Sequence, residues 1–440
     1  MKLTRRRFLR SSAAACLAVK AVPLLGDEPR RKYRTALIGS GWWGKTILKE
    51  AMRSGRVKVT ALCDVDANTL EVAADQVNDL AGDQPKTYKD YRELLEKEKP
   101  EVVLIATPDH WHALQAIAAL KAGAHVFVEK PTGHTVNESR AMLQAARDSG
   151  RVVQVDLHRR IGPHHVSGMK FIKSGAVGDV GMVRLFVDSG GGRENPKPNS
   201  APPEGLDWNM WCGPAPLRPF NTSIHPGGWR QFLDYGNGQL GDWGVHWLDQ
   251  VLWWSEEKYP KRIYSSGGRS VRGPAVLNDK EQTTDAPDHQ VAVYEFENFT
   301  CTWEHRQFGG TNAEKHAIGS YYYGTKGTLH IGWRDGWTFY PANKNDKIIH
   351  ENSQLQEPEG HNIALLWTDF LDSIESKKAA VANLEVAHRS SVLSLLGMVS
   401  WRVGRSLNWD GSKEQIIGDP EGSKLLSRPY RAPWVYPLAV

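Results

Sequence analysis

The stretch Ala36-Leu37-Ile38-Gly39-Ser40-Gly41-Trp42-Trp43-Gly44 decides the fold. An apolar run over 35–38 reads as a strand, empties into Gly-x-Gly-x-x-Gly, and is followed at once by a helical pattern over 45–53. That order is what a dinucleotide-binding turn needs. Gly39 permits the tight turn, Gly41 lets the backbone approach a diphosphate, and Gly44 lets helix and strand pack closely, with the phosphates at the positive helix end. Trp42 and Trp43 lie inside the turn and are counted with the cofactor contacts. A second apolar run, 57–63, ends at Asp64, about 20 residues past the last glycine, where a carboxylate accepts both ribose hydroxyls. An acid there repels a 2′-phosphate, so the sequence predicts NAD rather than NADP.

Ahead of this unit, Lys2, Arg5, Arg6, Arg7 and Arg10 precede a short apolar stretch over 13–19 and then Pro23. This is the layout of an export signal, and the run is too short to span a bilayer. Thr4-Arg5-Arg6-Arg7-Phe8-Leu9 resembles a twin-arginine signal, which implies export and a periplasmic protein, with residues 1–30 as signal and linker. Removing residues 1–26 takes away six basic and no acidic residues, so the formal charge falls from +5 to −1. The basic balance therefore belongs to the front of the chain. Neither nucleic acid nor an anionic surface is expected as a partner, and no stable membrane anchor follows. With residues 1–26 removed Cys16 goes too, and the remaining Cys63, Cys212 and Cys301 are widely spaced and odd in number, giving no disulfide framework. A chain of 440 residues exceeds one ordinary core, so two domains are expected.

Strand and helix continue to alternate after Asp64. The run 102–105 is apolar throughout, as a buried parallel strand is, and leads into Ala106-Thr107-Pro108-Asp109-His110-Trp111-His112. The next strand, 125–128, delivers Glu129-Lys130-Pro131 to the same edge, where open α/β sheets bind ligands. Thr107, Pro108, His110, His112, Glu129 and Lys130 thus join the glycines and Asp64 as cofactor-edge residues. A proline after Lys130 holds that lysine extended.

Gly-x-Gly-x-x-Gly, Thr-Pro-Asp-His-Trp-His and Glu-Lys-Pro together resemble the glucose-fructose oxidoreductase/inositol dehydrogenase/MocA family. The resemblance covers essentially the whole chain after the signal. It implies an α/β protein: a Rossmann dinucleotide-binding domain, 31–157, then an α/β domain with a large, mostly antiparallel sheet, 158–410; the prolines near the end make 411–440 an extended arm. It also implies that Lys130 is catalytic together with an Asp-x-x-x-His pair, here Asp242 and His246.

On their own, Asp242 and His246 stand four residues apart in a helical pattern and so share a face. Oxidising a secondary alcohol needs a group that takes the hydroxyl proton, and histidine suits that transfer, making His246 the candidate base. A lysine cation beside the same oxygen stabilises developing alkoxide. Asp242 either orients the histidine or accepts a neighbouring hydroxyl. In the Gly-, Pro- and Trp-rich stretch 189–235, Trp208, Trp211 and Trp229 offer flat faces for sugar rings. Arg159, Arg160, Arg193 and Arg230 are candidate substrate contacts along with Trp229. Strands follow from residue 263 to 340, and their free face is the expected surface for a homo-oligomer. The tail, Arg428 to Trp434, reads as an arm to a neighbouring subunit or as a docked terminus. His110 with His112 sits in a cofactor-edge motif, and neither that pair nor His164 with His165 has a cysteine or acidic ligand cluster nearby, so no metal site is expected.

The expected function is NAD-dependent oxidation of a secondary hydroxyl on a carbohydrate, with cofactor held and recycled in place. Glycoside cleavage through transient oxidation, elimination and re-reduction is the alternative. A non-catalytic sugar- or NAD-binding module is the alternative of another class.

Overall fold

The structure, a computed structural model, describes residues 31–438 apart from 312 and 356. The export-signal reading of residues 1–30 lies outside the described residues. From Tyr33 onward the chain forms one compact unit.

Six parallel strands open it: β1 (Tyr33–Ile38), β2 (Val57–Cys63), β3 (Lys86–Tyr88), β4 (Val102–Ile105), β5 (His125–Val128) and β6 (Val153–Val155), in the order β3-β2-β1-β4-β5-β6. Helices connect them, as parallel pairing demands. The β4 side chains are all buried, as the unbroken apolar run predicts. Asp66 and Asp90 cap the helices Ala67–Ala81 and Tyr91–Glu98 with their carboxylates, and Thr135 with Glu138 forms a capping box for Val136–Ser149. The order reverses between β1 and β4, and that switch point sets the ligand crevice.

The second part is built on ten strands: β7 (Val180–Asp188), β9 (Arg262–Gly268), β11 (His289–Glu295), β12 (Thr300–Arg306), β13 (Ile318–Gly324), β14 (Gly327–Gly332), β15 (Trp337–Pro341), β16 (Ile349–Glu351), β17 (Leu407–Asp410) and β18 (Gln415–Ile417). Their order is β16-β15-β14-β13-β7-β12-β11-β9-β17-β18, and only the β7–β12 pairing is parallel. The short strands β8 (Lys197–Pro198) and β10 (Glu281–Gln282) pair separately. Alternation divides the sheet's faces. Ile263, Tyr294, Cys301, Val183, Tyr322 and Leu329 form one cross-strand row that is fully buried, in one core with Trp247 and Leu396 from the helices Val245–Ser255 and Leu384–Val403. The opposite face exposes Met182, Tyr264, Val291 and Tyr323.

Residues 411–440 are not wholly extended, as the sequence reading had them. They contribute β18 and the helix Pro420–Lys424 before prolines open the chain out. The tail docks on its own chain: Arg428 and Tyr430 hydrogen-bond Glu138 at 2.9 and 2.7 Å, and Trp434 meets Trp111 edge-on. Cys63, Cys212 and Cys301 are buried free thiols. Among the described residues no helix is long and apolar enough to cross a membrane.

Candidate active site

An open cavity of about 1070 Å³ lies where the carboxyl ends of β1 and β4 part. Gly39, Gly41, Trp42, Trp43, Asp64, Thr107, Pro108, His112, Glu129, Lys130, Trp229, Arg230 and Asp242 all line it. The glycines there have different physical reasons. Gly39 sits at φ +91°, and a Cβ on Gly44 would run into the Gly39 carbonyl, so the turn itself needs both. Gly41 has an ordinary φ of −63°, and a Cβ added to it would meet nothing within 4 Å. Neither conformation nor packing asks for glycine there, and the space over it is open to the close approach of a ligand. Gly41 caps the helix Trp42–Arg53 without any side-chain hydrogen bond, and the first turn has no acidic residue. Its amides and dipole are therefore left for an anion, as a dinucleotide diphosphate requires. At the end of β2, Asp64 accepts the Ser40 amide at 2.6 Å and the Asp66 amide at 3.0 Å, while burial pushes its pKa up to about 6. These residues fit NAD.

Lys130 leaves the end of β5 and reaches across to the second domain. Its Nζ donates to Asp242 Oδ1 at 2.6 Å and to the Asp242 carbonyl at 2.9 Å, and Arg230 Nε stands 3.4 Å from the same carboxylate oxygen. Burial works against both charges, but their mutual attraction prevails. Lys130 is raised with help from Glu129, and Asp242 is lowered with help from Arg230. The site thus holds a fixed cation against a fixed carboxylate. Asp242 reaches it from a π-helical turn, Leu240–Gly244, just before the helix Val245–Ser255. Such wide turns recur at functional sites.

Two further carboxyls stand close by. Asp109, in the first turn of Asp109–Lys121, lines the cavity and is pushed up to about 8 by burial, with Asp242 and Glu129 opposing its ionisation and Lys130 favouring it. It is therefore a neutral acid at pH 7. Glu129 accepts the Trp43 indole N–H at 2.6 Å and is raised well above the carboxylate range by burial and by Asp156, with which it shares a hydrogen bond. Asp156 in turn lies 2.9 Å from His158 Nδ1. Asp109, Asp156 and His158 were not among the residues read from sequence, although Asp109 sits inside the Thr-Pro-Asp-His motif.

Other expected residues have different placements. His110 does not line the cavity. Burial drives its pKa down to about 3, and its ring nitrogens lie 3.3 and 3.1 Å from the carbonyls of Tyr235 and Trp211, tying the cofactor edge to the 189–235 stretch. His112 holds its ring nitrogens 2.7 Å from the carbonyls of Thr107 and Pro131 and, neutral through burial, donates its one N–H to one of them between the ends of β4 and β5. Arg159 is no surface contact: it is 1% exposed, lies over Trp333 and donates to the Trp333 carbonyl at 2.8 Å. Arg160 is paired with Asp249 at 2.7 Å, and Arg193 is exposed and outside the cavity lining. Of the tryptophans, Trp211 and Trp229 reach the cavity, whereas Trp208 stacks on Trp211 within the stretch's own cluster.

His246 is buried just beyond the cavity wall. Its ring lies 5.3 Å from that of His158 and 5.5 Å from Trp333, and Nδ1 has no hydrogen-bond partner. Burial, with Lys130 and His158 adding to it, holds its pKa well below the usual imidazole value, so the ring is neutral.

A Rossmann sheet with an open glycine turn, joined to a ten-stranded sheet that sends a carboxylate to a strand-end lysine, defines a two-part α/β protein with a dinucleotide-binding crevice. The chain belongs to the glucose-fructose oxidoreductase/inositol dehydrogenase/MocA family. It matches that oxidoreductase family's NAD-binding Rossmann fold over residues 33–157 and its C-terminal α/β domain over 180–266 and 281–436. Among curated relatives, a glycosyl hydrolase family 109 protein of Stenotrophomonas maltophilia (strain K279a) is 38% identical over 34% of this chain and 34% of that protein. An inositol 2-dehydrogenase of Salmonella typhimurium (strain LT2) is 32% identical over 34% of this chain and 44% of that protein. The chain thus spans less than half the length of these relatives. Levoglucosan dehydrogenase in complex with NADH and levoglucosan shares the fold, with a TM-score of 0.66 at 19% identity over 86% of this chain and 99% of that one. An oxidoreductase domain protein from Kribbella flavida does so at 0.68 and 22%, over 88% and 100%.

Proposed function

We propose that the protein oxidises a secondary hydroxyl of a sugar, sugar derivative or glycoside, using NAD. The observation that carries this reading is the Lys130–Asp242 pair, a charged donor and acceptor 2.6 Å apart on the wall of the cavity that Gly41 and Asp64 also line. When bound, NAD supplies the hydride acceptor. Lys130 donates to the substrate hydroxyl oxygen and stabilises the alkoxide that develops there, while Asp242 keeps the lysine charged and oriented. Trp229, 8% exposed and capped by Arg230 at 4.4 Å from the ring centre, offers an apolar face to the carbohydrate ring. His246, neutral because it is buried, stands behind the cavity wall, so in this scheme it takes the hydroxyl proton through a relay rather than by direct contact. A His246→Gln protein with kcat lowered by ~10²–10⁴ supports that role; unchanged turnover shows that the hydroxyl proton leaves by another route.

On the strength of Arg5 and Arg6, we take the enzyme to work in the periplasm with NAD held tightly and recycled. The exposed Met182, Tyr264, Val291 and Tyr323 on the sheet's open face support assembly of copies through that face. The first experiment measures bound nicotinamide, by near-ultraviolet absorbance and mass, in protein purified without added cofactor and then offered a panel of sugars and glycosides. Lasting reduction by a sugar is the expected result. Transient reduction with release of a glycone favours glycoside cleavage, the activity named in the family 109 relative. No bound nicotinamide, and none taken up, leaves a binding module and overturns the enzyme reading.

A further inference from the structure

A second cluster lies on the open face of the ten-stranded sheet, away from the cavity. His330 on β14 is cross-strand neighbour of Tyr321 on β13, in the row opposite the core, yet it is 1% exposed. The ring of His316, just before β13, stacks on it at 3.6 Å between centres, and Asp335, from the turn joining β14 to β15, lies 2.8 Å from His316 Nδ1. Nε2 of His316 and Nε2 of His330 are both buried without a hydrogen-bond partner. Two buried, unpartnered imidazole nitrogens side by side are costly unless something occupies them.

The floor of this cluster is made of two facing glycines. Gly319 on β13 pairs with Gly332 on β14, and neither has a positive φ, so the backbone does not require them. They are needed for space. A Cβ on Gly319 would stand 2.7 Å from His330 Nε2, and one on Gly332 would run into the Asp335 carboxylate. Glycine at both positions is what leaves the donor atoms uncovered.

We propose that His316, His330 and Asp335 form a binding site for a first-row divalent transition metal, zinc foremost. One donor atom from each residue lies within 4.8 Å of the others. Bonds of about 2.0–2.1 Å to nitrogen and oxygen in a tetrahedral site draw such donors together by roughly an ångström. The half-exposed Asp335 side chain, on its turn, supplies that movement. Two imidazoles and one carboxylate match zinc or nickel rather than magnesium or calcium, which take oxygen ligands. Of the nearby cations, Lys315 is turned toward the Tyr340 hydroxyl at 2.7 Å and Arg334 toward Glu359 at 2.9 Å. The bound ion would join the segment before β13 to the turn after β14.

The test uses the full chain purified without a histidine tag, stripped with chelator and titrated with zinc in a calorimeter, metal content being checked by mass spectrometry. One ion per chain with saturable binding is expected, with affinity lowered at least 10-fold in His330→Gln and in Asp335→Ala. Asp335→Ala alters an exposed turn and keeps the proposal testable should the buried histidine variant fail to fold. Absence of saturable binding to the wild-type chain, or equal affinity in folded variants, overturns it. Binding is read without turnover, so the result is independent of the dehydrogenase assignment.

Discussion

Lys130 and Asp242 form a partly buried ion pair with a second cation, Arg230, already at hand. Replacing Lys130 by Met therefore removes the charge at the reacting oxygen without stranding Asp242. The expected result is a folded protein whose kcat falls by ~10²–10³ while NAD affinity changes little; full turnover would sink the mechanism. Asp109 gives a second prediction. Its folded pKa, about 8, lies above the ordinary aspartate value of 3.8, so between those values the folded state holds a proton that the unfolded state has released. Its contribution to stability is complete below the unfolded pKa and is lost as pH rises through the folded one. An Asp109→Asn protein lacks this loss. Its melting temperature should gain on wild type between about pH 4 and pH 8 and run parallel above that. A constant difference would place the ionised form in the folded site instead.

At the scale of the β1–turn–helix unit, the glycines separate binding from folding. Gly41→Ala adds a methyl group that meets no protein atom at a φ any residue adopts, so melting should shift by less than ~1 kcal/mol equivalent while NAD affinity drops at least tenfold. Gly39→Ala, at φ +91° and against the Ala106 backbone, should instead lose stability outright. Equal effects at the two positions would mean the turn binds no diphosphate. This unit was readable in the sequence because a strand, a turn and a helix each leave a local pattern. So do β2, β4 and β5, whose buried runs have the bounds that the apolar residues suggest. Less was legible where geometry departs from the regular period. Asp242 and His246 look like neighbours on one α-helical face, but the wide turn at Leu240–Gly244 lets Asp242 face Lys130 while His246 sits behind the wall. The three exposed or half-buried residues of β3 carry no alternation to read. His316, His330 and Asp335 meet only because strands pair, and no local spacing announces them.

Across the whole molecule, the tail bonds to both parts of the unit. Glu138, whose side chain is 1% exposed, accepts the amides of His134 and Thr135 through Oε2, and through Oε1 it accepts Arg428 Nε at 2.9 Å and the Tyr430 hydroxyl at 2.7 Å. The same Arg428 donates to the carbonyls of Asp234 and His110, and Arg431 binds Asn209 at 2.6 Å in the 189–235 stretch. One extended segment therefore bonds to the helix after Glu129-Lys130-Pro131, to the Thr-Pro-Asp-His motif and to the second domain. Arg428→Met leaves a buried carboxylate whose cation is gone, a change that costs ~3–5 kcal/mol when a buried pair is broken on one side. Glu138→Gln combined with Arg428→Met removes both charges, so the double variant should recover part of that loss. Ending the chain at Ser427 should lower the melting temperature further, because the Trp111–Trp434 contact and the Arg431 bonds go with it. The loss should appear as one earlier transition, since the segment bonds to both parts of the unit. An Arg428→Met protein within ~0.5 kcal/mol of wild type in denaturant unfolding would show instead that the tail merely rests on the surface and carries no share of the coupling between the sheets.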